Sequence, residues 1–190
     1  MGLRQLTATG ACALALISAV GLTACGKHEE PGVDEPAREG LAIDVGGIAY
    51  NVYLTRELNL NIEPDRAYYT GKPAAKGRAL YGVFVRTCND GSKPRMTASS
   101  FHVEDNQGTE FEPVEIEEDN AFAYRPRKLL PGDCIPDDGS VAQLGPTSAS
   151  MLLFDFPLTS TENRPLELKI EGPYDYAEGK REVKTVELDL

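Results

Sequence analysis

The sequence holds no tryptophan, two histidines and four cysteines among 190 residues. The missing tryptophan excludes a core in which an indole packs on a disulfide. The shortage of histidine narrows catalysis. His28 lies in a polar stretch near the start, and His102 sits between Phe101 and Val103 on a predicted strand. A serine-type triad would have to use His102, and no Gly-x-Ser-x-Gly elbow accompanies it. Glycine-rich phosphate loops and dinucleotide fingerprints are missing as well. No segment keeps a helical period, which excludes a helix bundle. Met96 with His102 is too sparse a pair for copper, and soft metal ligands are otherwise scarce. The expectation is a chain that is not an enzyme and has no cofactor or resident metal.

Charge is also missing near the start. From Gln5 to Gly26 no side chain is charged, and Arg4 is the one charge before residue 25. A short basic start, the apolar run "ALALISAVGL" and then small residues follow the order of a secretory signal peptide. A transmembrane helix is the alternative, since a span needs roughly 20 mostly apolar residues. Thr7, Thr9, Gly10, Ser18, Gly21 and Thr23 dilute this one. The run closes on Leu22-Thr23-Ala24-Cys25, which resembles the lipobox of bacterial lipoproteins at every position. That resemblance implies a diacylglyceryl group on the Cys25 thiol and cleavage just before it. A thiolate is the side-chain nucleophile best suited to forming the thioether. The rival Thr9-Gly10-Ala11-Cys12 lacks the leading Leu and leaves too short an apolar stretch. One acyl chain holds only reversibly, whereas two or three on a single residue attach stably. Gly26-Lys27 follows, so an Asp signal for inner-membrane retention is absent. The expected location is extracytoplasmic and lipid-anchored: on the cell membrane, or on the outer membrane where the bacterium has two.

Removing residues 1–24 takes away Arg4 and no acid, so the formal charge of −11 becomes −12. Nucleic acid is excluded as a partner because it needs a basic footprint. The same charge argues against the folded domain gripping anionic head groups. An acidic exterior keeps a protein soluble. With Cys12 discarded and Cys25 lipidated, Cys88 and Cys134 remain as an even pair in an exported chain. An oxidising compartment favours a disulfide between them, tying a strand end to a loop rich in Pro and Gly.

Residues 26–40, "GKHEEPGVDEPAREG", carry almost no bulky apolar group, so residues 25–40 are expected to be a lipidated cysteine with a disordered acidic tether. From 41 to 190 the pattern is β. Ile48, Tyr50, Val52 and Leu54 alternate with Ala49, Asn51 and Tyr53 as on a half-buried strand. "ALYGVFVRTC" suits a central strand. Phe101 and Val103 pair with the strand of Thr109 and Phe111 through "EDNQG", with Gly108 free to take positive φ. "MLLFDF" reads as a buried strand closed by Pro157. In "LELKIE" and "VELDL", Leu166, Leu168, Ile170, Val186, Leu188 and Leu190 face inward. Around Tyr68 the chain fits either a short helical turn or an irregular edge strand. About seven to nine short strands split by Gly, Pro, Asn and Asp predict one all-β domain, an immunoglobulin-like antiparallel β-sandwich.

The order of cues "IAYNVYL", "YGVFVRTCND", "FHVEDNQGTEF", "LLPGD" and "LLFDFP" resembles the immunoglobulin-like domains of unknown function on lipoproteins of Gram-positive bacteria. The chain departs from that pattern by placing Cys134 and "IPDDGS" after the Leu-Pro-Gly turn. The resemblance carries over no catalytic residue and implies a binding or interaction role.

Two acidic groups could hold calcium or act as paired carboxylates: Glu115, Glu117, Glu118 and Asp119, and Asp137 with Asp138. Solvated loops are the expectation for both. Tyrosine is the abundant aromatic, and it joins apolar area to a polar tip. Tyr68, Tyr69, Tyr174 and Tyr176 fall in predicted loops or edges and are the candidate partner contacts, while Tyr81 belongs to a sheet face. Loop segments 86–96, 115–136 and 172–181 mix Arg, Asp and Tyr. The expected function is binding of a protein or cell-envelope component through these loops. An envelope hydrolase using carboxylates such as Glu115 and Glu117, and a spacer with no ligand, are the alternatives.

Overall fold

A computed structural model describes residues 36–190 apart from Glu178. The signal segment, Cys25, His28 and the tether up to residue 35 lie outside the described residues. Among the described residues there are twelve strands: β1 Ala37–Arg38, β2 Ala42–Val45, β3 Ile48–Glu57, β4 Arg78–Cys88, β5 Arg95–Met96, β6 Ser100–Glu104, β7 Glu110–Phe111, β8 Lys128–Leu129, β9 Cys134–Ile135, β10 Ser150–Pro157, β11 Leu166–Asp175 and β12 Lys180–Leu188. Five of them are two-residue pairings, which alternation over four to eight residues cannot reveal. The two short helices are α1, Asp65–Tyr68, and α2, Val141–Leu144.

Two sheets pack as a sandwich. One runs β1-β12-β11-β6-β7, and the other β10-β4-β3-β2 with β9 also on β4. The small ribbon β5-β8 stands apart from both. The alternating residues do what the pleat demands. Phe101, Val103, Leu166, Leu168, Ile170, Val186 and Leu188 of the first sheet meet Ile48, Tyr50, Val52, Val83, Val85, Phe154 and Phe156 of the second in one core. Tyr50 is fully buried there, and its polar tip is satisfied. Ala98 N donates to the Tyr50 hydroxyl at 2.5 Å, and the Tyr124 hydroxyl donates to Ala98 O at 3.0 Å. Burial is the main reason that the Tyr124 phenol is pushed well above its ordinary range.

β4 and β10 are covered on both faces, as their dense apolar sequence predicts. Leu80, Phe84, Met151 and Leu153 turn away from the sandwich and form a second core with Leu58, Tyr68, Ile116, Ala123 and Ala149. The lid over this core is α1 and the segment 114–124. That segment also caps the free edge of β10, because Val114 N donates to Leu153 O, Met151 N to Phe122 O and Tyr124 N to Met151 O. An exposed edge is thereby removed. Gly82 lies beneath this packing: a Cβ there would come within 2.9 Å of the Phe84 ring and 3.0 Å of Met151 Sδ. The acidic loop at Glu115–Asp119 is therefore attached to a packing element through Ile116. Arg125 ties it down by donating to the carbonyls of Ile116 and Glu117.

Three sequence expectations change. Tyr68 is not a surface contact: it is 1% exposed and packs edge-on against Phe84 and Phe122, at centroid distances of 4.8 and 4.9 Å. The helical turn that inserts it is pinned by Arg56, whose guanidinium reaches the buried Asp65 at 2.8 Å, while Asn59 N donates to the other carboxylate oxygen. Tyr69 is half-buried beside the same core, its ring lying over Gly71. The second change is on β3. A register shift between Val52 and Leu54 ends the alternation, so Thr55 is buried and Leu54 leans with Tyr53 on the second core. Such bulges bend a strand and re-aim its side chains. Third, the sheet takes in residues assigned to the tether. Ala37 and Arg38 pair in parallel with Val186 and Glu187, and Gly40 N donates to Val52 O.

Candidate functional site

Cys88 and Cys134 are bridged, and they sit directly opposite each other across β4 and β9 with Cα atoms 4.1 Å apart. The bridge joins two strand ends rather than a strand and a loop. Next to it, Asn89 is fully buried. Its side-chain amide donates to Lys93 O and Leu129 O, and its side-chain oxygen accepts from Gly91 N. Its backbone pairs with the turn at Gly132–Asp133. Asn89 is thus the hub that shapes loops 89–95 and 129–134 at one end of the sandwich. An Asn suits this position because one side chain offers two donors and an acceptor at once.

The same end carries the β11–β12 hairpin. A bulge between Glu171 and Tyr174 breaks the pairing register just before the turn. Gly172 is buried there, and a Cβ on it would lie 3.1 Å from Val45. Beyond the bulge, Tyr174 is 44% and Tyr176 91% exposed. Their rings meet edge-on with centroids 5.1 Å apart. The turn is fixed from within, with the Asp175 side-chain Oδ1 accepting from Ala177 N, Gly179 N donating to Asp175 O, and Gly179 at φ 67°. Tyr174, Tyr176, Pro173, Met96 and Arg95 line a hollow of about 360 Å³. Arg95 is held in place by donating to Gly46 O. A second hollow of about 480 Å³ on the flank of the hairpin includes Lys180, Arg181, Glu182 and Lys184. Of the four candidate tyrosines, the structure brings Tyr174 and Tyr176 together at this end and places Tyr68 and Tyr69 at the second core.

The outer face of the first sheet holds a feature the sequence reading missed. Glu110, Glu104, Glu167 and Glu187 stand abreast on four adjacent strands, and Arg38 follows on β1. Like charges directly opposed are unfavourable. Lys169 offsets them by donating to Glu104, and that bond is the main reason its ammonium is held above the usual lysine range; Glu167 and Glu110 add to the effect against burial. His102, Glu104 and Glu110 bring ligand-capable atoms within 4.8 Å of one another. The signal for this group was His-x-Glu on alternate strand positions with a Glu across the hairpin. Its acidity is already shared with a lysine. In the "PDDGS" loop, Arg127 takes both carboxylate oxygens of Asp137, so the calcium reading loses its first ligand.

The chain is thus a β-sandwich domain with an aromatic hairpin at one loop-rich end. No protein-family model matches the chain, and no curated protein does. Among solved structures it is similar to the yjhA protein of Bacillus subtilis, with a TM-score of 0.52 at 13% identity over 80% of this chain and 99% of that one. An uncharacterised β-sandwich protein of Clostridium difficile gives 0.46 at 14% identity, covering 84% of this chain and 99% of its own. A presumptive lipoprotein of Bacillus subtilis gives 0.47 at 11% identity, with 78% of this chain on 38% of that one. At 13% identity the likeness to the yjhA protein shows the fold alone.

Proposed function

We propose that the chain is an outward-facing, lipid-anchored β-sandwich that works by binding rather than catalysis, with the tyrosine end as its contact surface for a protein or envelope component. The anchor rests on Leu22-Thr23-Ala24-Cys25. The contact surface rests on the exposed pair Tyr174–Tyr176, held out by a bulge and a fixed turn beside Met96 and Arg95. Rigid aromatic side chains give large contact area at little entropic cost, and Tyr and Arg dominate binding hot spots.

Crosslinking on intact cells tests this reading, with the parent compared to a variant carrying Tyr174→Ala and Tyr176→Ala. The variant should keep the parent's melting temperature, because both rings lie outside the cores. Its crosslinked product should fall by an order of magnitude or more, as expected when a hot spot of about 2 kcal/mol is truncated. An undiminished product would place the contact elsewhere.

A further inference from the structure

We propose that the outer face of the first sheet binds one exchangeable divalent ion of the zinc class, with His102, Glu104 and Glu110 as its ligands. The inference stands apart from the tyrosine end and does not depend on the anchored reading.

Strand register builds the group. On β6, Phe101 and Val103 face the core, so His102 and Glu104 share the outer face. Glu110 on β7 stands directly opposite Glu104. Ligand-capable atoms of the three lie within 4.8 Å of one another. Zinc takes nitrogen and oxygen at about 2.0–2.2 Å, which puts tetrahedral ligand atoms roughly 3.4 Å apart. Rotation of side chains closes that gap, and the exposed Glu110 is the ligand with room to turn. The backbone beneath is fixed. Asp105 is buried, and its Oδ1 accepts from Gln107 N and Thr109 N while Asn163 Nδ2 donates to its Oδ2. Asn106 donates from its backbone to Asn163 O and from its side chain to Arg164 O. The β6–β7 turn is thereby held on the 163–164 segment, with Glu104 and Glu110 kept abreast. Ligands on strands braced in this way hold their geometry better than ligands on loops.

The neighbouring strand β11 completes the surroundings. Glu171 Oε1 lies 3.8 Å from His102 Nδ1. A carboxylate beside one imidazole nitrogen orients the ring and assigns the other, Nε2 here, to the metal. Glu104, Glu110, Glu167 and Glu171 place four carboxylates around one ammonium, that of Lys169. Opposed like charges are unfavourable, and a dication offsets what a single lysine leaves. Imidazole among carboxylates suits zinc and its neighbours, whereas calcium and magnesium take oxygen ligands. Three protein ligands leave a position for water, which makes the ion exchangeable rather than a closed structural staple. Counting ligands along the sequence predicts no metal, because it is the hairpin that collects these three.

The shortage of histidine supplies the test. The full mature chain in detergent is stripped with chelator and titrated with zinc(II) by calorimetry. One ion should bind per chain. Glu171→Gln should weaken binding by about 10–100-fold, the usual cost of losing the group that orients a ligand. His102→Gln and Glu110→Gln should weaken it further. Each variant should melt with the parent in chelator, and Glu110→Gln is the safest of them because its side chain is exposed. Lys169→Met should tighten binding by removing the competing charge. His28→Gln, at the other histidine, should change nothing, and excess calcium should not displace the zinc. A parent that takes up no zinc saturably overturns the proposal. So does a His102→Gln or Glu110→Gln variant that binds as the parent does, or a loss of binding in His28→Gln.

Discussion

Opening the Cys88–Cys134 bridge is expected to cost the folded domain about 4 kcal/mol, the loop-closure value for a crosslink spanning 46 residues. The closed loop holds β5 to β8 and the 114–124 segment that lids the second core. Reduction therefore loosens a stretch that supplies β6 and β7 to the first sheet and the lid to the second core. Asn89 and its hydrogen bonds survive reduction, so the hairpin end should loosen without unfolding while stability remains. Denaturant unfolding of the parent, with and without reductant, reads the effect directly, and Cys88→Ala with Cys134→Ala should match the reduced parent. An unchanged midpoint would show that β9 holds β4 without the bridge. Two alkylatable thiols in the native exported protein would show that no bridge forms.

Tyr68→Ala should be as damaging, at about 3–5 kcal/mol, the range for removing a large buried aromatic. The ring fills the space between Phe84 and Phe122, and α1 has no other side chain in that core. Tyr68→Phe should be neutral or should stabilise by about 1 kcal/mol. The Tyr68 hydroxyl is buried with no hydrogen-bond partner among the described residues, and an unsatisfied buried hydroxyl is unfavourable. The pair of variants separates packing from recognition. A partner-contact tyrosine would show no stability loss on truncation to Ala and a binding loss on truncation to Phe.

Tyr68 also marks where sequence reasoning stops. Alternation along Phe101–Val103, Leu166–Ile170 and Val186–Leu188 is a property of single strands, and each faces inward as read. The Gly108 turn was equally legible, because a left-handed position near a hairpin has few occupants other than Gly. The second core was not. It is assembled from α1, the 114–124 segment and the outer faces of β4 and β10, which are distant in sequence, and only the dense apolar runs within β4 and β10 hint that both faces are covered. The bulge on β3 shifts the phase of alternation, so Leu54 leaves the face that period-two reading assigns, and the bulge on β11 falls beyond the alternation that ends at Ile170. Ala37–Arg38 is too short for any period, and its partner lies 149 residues away in the register Ala37 to Val186. At the candidate site, tyrosine content pointed to Tyr174 and Tyr176. Their meeting with Met96 and Arg95 depends on Asn89, a buried hub that reads in sequence only as the end of a strand.

The functional account depends on Cys25 being the point of attachment, and the mass of the mature N-terminal peptide tests that most directly. The account predicts a chain that begins at Cys25 and carries a thioether-linked diacylglyceryl group. A mature chain with an unmodified Cys25, or one that retains residues 1–24, would contradict it.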